Sequence, residues 1–119
     1  MSAQANSASP PADVLSFPIR GKLTASDFGR QLDDAARRMR PDIGYALVFN
    51  LIGMAGYEPE VRETYMKWHR QHTAKLRRVA VVTDKAMWRL VVATIGMATG
   101  GNTRAFEDLA EAERWARGS

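Results

Sequence analysis

The chain has 119 residues, a formal net charge of +4 and no cysteine. That length holds one domain with its own core, and the lack of cysteine excludes disulfides and thiolate metal sites. Residues 1–12, MSAQANSASPPA, are small, polar and proline-rich, which predicts a disordered tail before a single domain at 13–119. This tail has neither the positive charge nor the apolar core of a secretory signal, and the longest apolar run is too short to span a membrane. We therefore expect a cytoplasmic protein.

The first strand and helix are predicted between residues 14 and 40. Residues 14–20, VLSFPIR, alternate as a strand, and Pro18 makes it an edge strand or a bulged one and leaves an antiparallel pairing open. Thr24 and Asp27 resemble a capping box at a helix start, and Pro41 would stop this helix. Its apolar residues recur at intervals of three and four, which places them on one face: Phe28, Leu32, Ala35 and Met39.

The second unit begins with residues 45–52, YALVFNLI, a continuous apolar run typical of a strand covered on both faces. Residues 53–57 are predicted to form a loop, and Glu58 and Pro59 to begin a helix that reaches the basic residues Arg77 and Arg78. An apolar and aromatic stripe follows the helical repeat at Val61, Tyr65, Trp68, His72 and Leu76.

The third and fourth units complete the pattern. Residues 78–82 predict a strand, residues 87–98 an apolar helix, 102–106 a short strand and 107–117 a last helix. The inner face of the apolar helix is expected at Met87, Leu90, Val91, Thr94, Ile95 and Ala98. The alternation predicts an α/β fold, a single domain with a mostly parallel sheet of about four strands and four helices.

Catalytic and metal sites are not indicated. Gly53-x-x-Gly56 lies between a strand and a helix but lacks the further glycine or lysine of the nucleotide-binding motifs, so we expect a simple turn. His69 and His72 are spaced to share a helix face, yet no third ligand is identifiable, and we place His72 in the core and His69 on the surface. Since no acid–base pair or nucleophile motif can be located either, we expect a protein without cofactor or metal, and not an enzyme.

Residues 67–78, KWHRQHTAKLRR, carry five lysines and arginines and no acid. Such a segment can contact nucleic acid or an anionic membrane surface. Because Trp68 falls on the predicted inner stripe and no nucleic-acid-binding motif is present, a plain basic surface is the better interpretation.

The apolar helix at 87–98 has more apolar surface than one packed face needs. Three interpretations stay open: a helix enclosed in the core, an interface for a partner, and the wall of an apolar pocket. The methionines near it would supply soft, adaptable surface.

Three motifs together resemble the SpoIIAA-like, STAS-related family. They are GKLTASDF at residues 21–28, VAVVTDKAMWRL at 79–90 and AFEDLAEAERWA at 105–116, and the resemblance covers residues 14–117. It implies a small α/β domain of the STAS/CRAL-TRIO-like group, in which STAS domains regulate through protein contacts and CRAL-TRIO relatives carry lipids. The anti-sigma-factor antagonists of the wider group carry a phosphorylatable serine at a step that corresponds to residues 53–58 here, which have no serine or threonine. A large lipid cargo would need more helices than 119 residues supply.

The resemblance leads to a first hypothesis and an alternative. The first is a non-enzymatic STAS-like regulatory module that binds a protein partner, with a homodimer as one form. Its partner-binding residues would be Met54, Tyr57, Glu58, Trp88 and Val92. The alternative is a small carrier or sensor for an apolar ligand or lipid, in a pocket lined by Met87, Val91, Ile95 and Met97.

Overall fold

A computed structural model describes residues 14–40 and 42–118 of the chain. The predicted tail at residues 1–12 and the predicted helix stop at Pro41 lie outside the described residues. Within them, four strands and four helices alternate. Their bounds are β1 Val14–Leu23, α1 Ala25–Arg38, β2 Tyr45–Tyr57, α2 Glu60–His72, β3 Leu76–Val82, α3 Ala86–Ala98, β4 Thr103–Phe106 and α4 Leu109–Arg117.

The four strands form one sheet in the order β1-β2-β3-β4, and every neighbouring pair is parallel. The predicted α/β fold is therefore confirmed. The antiparallel option for β1 is wrong, because Val14 pairs with Ala46 in a parallel register. Pro18 does lie on an edge strand, and the register with β2 shifts between Pro18 and Arg20, as expected where a residue lacks a backbone donor.

The predicted loop at residues 53–57 is also wrong, because these residues are the last part of β2. Gly21 pairs with Met54 and Leu23 pairs with Tyr57. Gly21 has φ of 66° at a second register shift, a conformation that glycine adopts without strain. Backbone pairing with β1 thus keeps this glycine-rich segment extended.

Helix α1 follows the prediction closely. The Thr24 side chain caps it by accepting a hydrogen bond from the Asp27 backbone N–H at 3.0 Å. The whole predicted inner face is buried: Phe28, Leu32, Ala35 and Met39.

Helix α2 is shorter than predicted. It ends at His72, and a short 3-10 turn leads into β3 at Leu76, so Arg77 and Arg78 belong to a strand and not to a helix end. The burial of the two histidines differs from the prediction. His69, predicted on the surface, is 3% exposed, and His72, predicted in the core, is half-buried. His69 is held by a 2.8 Å hydrogen bond between its Nε2 and Asn102 Oδ1, which satisfies one of its buried polar atoms.

The sheet is covered on both faces by unequal layers. One face packs with α1, α2 and α3 around a large cluster that includes Phe17, Leu47 and Val79. The other face packs with α4 alone, whose Ala112 and Ala116 lie on the small residues of the inner strands. The candidate site lies on the three-helix face.

Candidate functional site

Helix α3 covers a cavity on the three-helix face of the sheet. The cavity has a volume of about 90 Å³ and is open to solvent on one side. Strands β1 to β4 and all three helices of this face contribute side chains. We call it the α3 cavity, and its apolar lining consists of Leu23, Phe28, Phe49, Leu51, Met54, Val61, Val81, Trp88, Val91, Val92 and Ile95.

Aromatic rings shape much of the wall. Phe28 meets Phe49 edge to face with 5.5 Å between ring centroids. At the other side Tyr57 and Trp88 make a similar contact at 6.0 Å. Such edge-to-face contacts hold rings in defined positions, so this part of the cavity wall has a defined shape.

The polar part of the lining is small and lies near β4. The Tyr65 hydroxyl and Thr103 Oγ1 are 2.9 Å apart in a buried hydrogen bond. Thr99 Oγ1 donates to the same Thr103 oxygen at 3.3 Å. Burial raises the pKa of the Tyr65 phenol well above its usual value, and this outweighs the lowering by the Thr103 hydrogen bond. The phenol is therefore neutral at physiological pH, and its hydroxyl is buried against Thr103 while the surface open to the cavity is apolar.

Helix α3 is positioned by one very close contact. A Cβ built on Gly96 would lie 2.4 Å from the Thr103 carbonyl oxygen, so only glycine allows the helix to approach β4 this closely. A second attachment comes from Arg89, which donates to the Thr83 carbonyl at 3.1 Å and lies 3.8 Å from a Glu107 carboxylate oxygen.

This attachment rotates α3 away from the predicted orientation. Val92 and Gly96 are its buried residues, with Trp88 and Ile95 half-buried. The expected inner face is wrong at Met87 and Leu90, which are 71% and 63% exposed, and at Thr94 and Ala98, which are also exposed. Because α3 is apolar around most of its circumference, its sequence pattern does not indicate which face is inward.

The predicted pocket residues divide into two groups. Val91 and Ile95 line the α3 cavity. Met87 and Met97 do not, since they lie on the outer side of α3 with 71% and 86% exposure. The prediction of a pocket wall on α3 thus fits two of its four residues.

The residues predicted to bind a partner lie mostly in the same cavity. Met54, Tyr57, Trp88 and Val92 line it, and Met54 and Val92 are buried. Glu58 has a different place: its carboxylate accepts a hydrogen bond from the Ala25 backbone N–H at 2.9 Å, and its own N–H donates to the Leu23 carbonyl. These contacts connect the end of β2 to the start of α1.

Sequence reasoning missed several cavity residues. Phe28 and Tyr65 were assigned to core stripes, which is also where they lie, and Thr103 was assigned only to a strand. Arg62 was not singled out, although it lines the cavity while remaining exposed to solvent. The i, i+4 spacing of Val61 and Tyr65 on α2 is the signal that could have found this wall.

The basic segment at residues 67–78 lies apart from the cavity lining. Trp68 is buried, as predicted, and stacks on His72 with 4.6 Å between centroids. Arg78 donates to the Trp115 carbonyl and lies over its ring. Lys67, Arg70 and Arg77 are exposed.

The described residues contain neither a group of metal ligands nor a membrane-spanning helix. Among residues 14–40 and 42–118, no three or more His, Cys, Asp or Glu side chains are grouped as a metal site requires. No helix within these ranges is both long and apolar enough to cross a bilayer.

Comparison with known proteins identifies a family and solved structures with a similar fold. The model of a family described as SpoIIAA-like matches residues 14–117. A crystal structure of an uncharacterized protein from the DUF3478 family with a SpoIIAA-like fold, from Shewanella loihica PV-4, is similar with a TM-score of 0.66 and 20% identity, over 85% of this chain and 82% of that one. No curated protein matches the chain.

Proposed function

Because the chain belongs to the SpoIIAA-like family and has an apolar cavity beneath α3, we propose that it is a non-enzymatic carrier or sensor of a small apolar ligand. The observation that supports this most is the lining itself. Eleven apolar side chains surround the space, and the Tyr65 and Thr103 hydroxyls at its wall are buried and bonded to each other. Small-molecule sites in proteins are lined predominantly by apolar and aromatic side chains.

The size of the cavity restricts the ligand. An enclosed space of about 90 Å³ takes a short alkyl chain or part of one ring, with the remainder in the wider mouth. A cavity of about 150 Å³ with a similar apolar lining is large enough to bind benzene. A long acyl chain would leave most of its length in solvent, so the proposal concerns compact ligands.

The affinity of the cavity for a simple probe, 1-hexanol, can be estimated from the apolar groups that it buries. Burying the five methylenes of 1-hexanol at ~0.8 kcal/mol each contributes ~4 kcal/mol. That free energy corresponds to a dissociation constant of about 1 mM, and the cost of association weakens it further. Millimolar titrations of the intact protein are therefore the appropriate assay.

The test fills the cavity from α3. Val91→Phe places a ring toward the cavity, where Val91 is half-buried. Met97→Phe on the same helix places the same ring on the 86% exposed side and is the matched control. We expect Val91→Phe to weaken 1-hexanol binding about tenfold or more and Met97→Phe to leave it unchanged. Equal binding by all three proteins would contradict the proposal.

A second function, self-association, is favoured by the outer face of α3. This face consists of Met87, Leu90, Thr94 and Met97, whose spacing is that of the contact positions in paired helices. The single charged residue of α3, Arg89, is engaged by Thr83 and Glu107, so no charge on this face would repel a second copy. This is the interaction-module hypothesis, with the contact surface on α3.

The size of that face predicts a weak dimer. A helix of thirteen residues is ~20 Å long and ~10 Å wide, so pairing two such faces buries much less than the ~1,200 Å² of a stable interface. Sedimentation velocity should show dimer only as concentration approaches the millimolar range, and Leu90→Lys should abolish it. Gln71→Lys on the exposed side of α2 is the control, and a monomer at every concentration would contradict the hypothesis.

A further inference from the structure

The cavity mouth carries a positive charge without a partner. Arg62 lines the α3 cavity with the apolar part of its side chain and is exposed, so its guanidinium lies in solvent beside the cavity and not in the lining. Within the described residues, no acidic side chain pairs with its guanidinium. An arginine beside an apolar site and not engaged by the protein is available to a ligand.

The acidic residues near Arg62 in the sequence either bond the backbone or lie outside the cavity lining. Glu58 contacts the Ala25 backbone N–H through its carboxylate. Glu60 and Glu63 are exposed on α2 and line no part of the cavity. Lys85 is not part of the lining, although its Nζ lies 5.3 Å from the centre of the ring of Trp88, which lines the cavity. Asp84 precedes it and is exposed.

From this arrangement we propose that the ligand of the α3 cavity is an amphipathic carboxylate, with a compact apolar body inside and its carboxylate on Arg62. The inference rests on the proposed ligand-binding function and specifies the chemical class of its ligand. Arginine suits this position because its planar guanidinium presents two parallel donors to the two oxygens of a carboxylate. An amine-ended ligand of the same shape would be disfavoured by the positive charge of Arg62.

The strength of the preference follows from the exposure of Arg62. Ion pairs in solvent are weak, and their typical free energies correspond to a two- to fivefold change in a binding constant. The preference for a carboxylate should therefore be modest and should decrease at high salt, where charges separated by solvent are screened. The apolar body supplies the larger part of the affinity.

The experiment compares three probes of equal chain length: hexanoate, 1-hexanol and hexylammonium. Each is titrated into the intact protein at neutral pH and low salt, with amide NMR shifts as the readout. The quantity of interest is the ratio of the hexanol and hexanoate dissociation constants. Arg62→Gln should lower this ratio two- to fivefold, and Arg62→Lys should restore part of it. Arg70→Gln, an exposed arginine of the same helix outside the lining, should leave the ratio unchanged.

The possible results distinguish a failure of the carboxylate inference from a failure of the proposed ligand binding. If wild-type protein binds hexanol and hexanoate equally, or if Arg62→Gln leaves their ratio unchanged, the carboxylate inference is wrong and the apolar cavity stands. If hexylammonium binds best, the inference is also wrong. If none of the three probes saturates a site at the cavity, the proposed function itself fails.

Discussion

Gly96 on α3 lies so close to Thr103 on β4 that a Cβ on the glycine would be 2.4 Å from the threonine carbonyl oxygen. The same threonine carries the hydroxyl that bonds Tyr65 at the cavity wall. The contact therefore fixes two things together: the height of α3 above the sheet, and the position of the threonine that bonds the Tyr65 hydroxyl.

Replacing this glycine should lower stability measurably. Gly96→Ala forces α3 away from the Thr103 backbone, and overpacking of this kind costs ~1–3 kcal/mol. Gly29→Ala is the matched control, because Gly29 is also helical and has nothing within 4 Å of an added Cβ. It should be neutral or stabilising by up to ~1 kcal/mol, since alanine is the better helix former. Urea unfolding measures both, and equal free energies of unfolding for the two variants would contradict the contact.

The close contact also explains why the orientation of α3 could not be predicted. Its apolar residues surround the helix, so several faces fit the periodicity equally well. The orientation depends on Gly96, a residue without a side chain that a search for apolar spacing ignores. In α1, by contrast, the apolar residues Phe28 and Leu32 lie on one face and polar residues occupy the others. The predicted inner face of α1 is therefore the observed one.

Glu58 is expected to contribute to stability through its bond to helix α1. The carboxylate accepts the Ala25 N–H, one of the free donors at the start of α1, and losing a hydrogen bond of this type costs ~1 kcal/mol. Glu58→Ala should therefore lower the free energy of unfolding by about that amount. Glu63→Ala on the exposed side of α2 should have no comparable effect. An unfolding free energy unchanged by Glu58→Ala would show that the bond does not contribute.

Glu58 illustrates a second limit of sequence reasoning. Glycines at 53 and 56 favour a turn, and a turn would have left Glu58 at an exposed loop end. The segment is instead paired with Arg20–Leu23 of β1, thirty or more residues away along the chain. Pairing over that distance is not encoded in local spacing, whereas the order of strands and helices is, and that order was predicted correctly.

Tyr65 should make stability fall at alkaline pH. Its folded-state pKa is raised by burial above the ordinary tyrosine value of 10.0, so above pH ~10 the unfolded chain loses this proton while the folded protein keeps it. Fewer protons bound in the unfolded state means that the free energy of unfolding falls as pH rises. The contribution is fully present below pH ~10 and is lost above it.

The Tyr65 contribution is measured as a difference between two proteins. Tyr65→Phe removes the titrating group and one buried hydrogen bond, which costs ~1 kcal/mol at neutral pH. Between pH 9 and 11 the variant should lose less stability than the wild-type protein, as followed by urea unfolding. Parallel pH dependence in both proteins would mean that Tyr65 is not responsible.

Whether the α3 cavity binds a small apolar ligand is tested most directly by an amide NMR titration of the wild-type protein with 1-hexanol. We expect saturating shifts with a dissociation constant in the millimolar range, concentrated at Leu23, Tyr65, Val92 and Thr103. Shifts that rise linearly without saturation, or that concentrate at Met87, Leu90 and Met97 on the outer side of α3, would contradict a ligand site in the cavity.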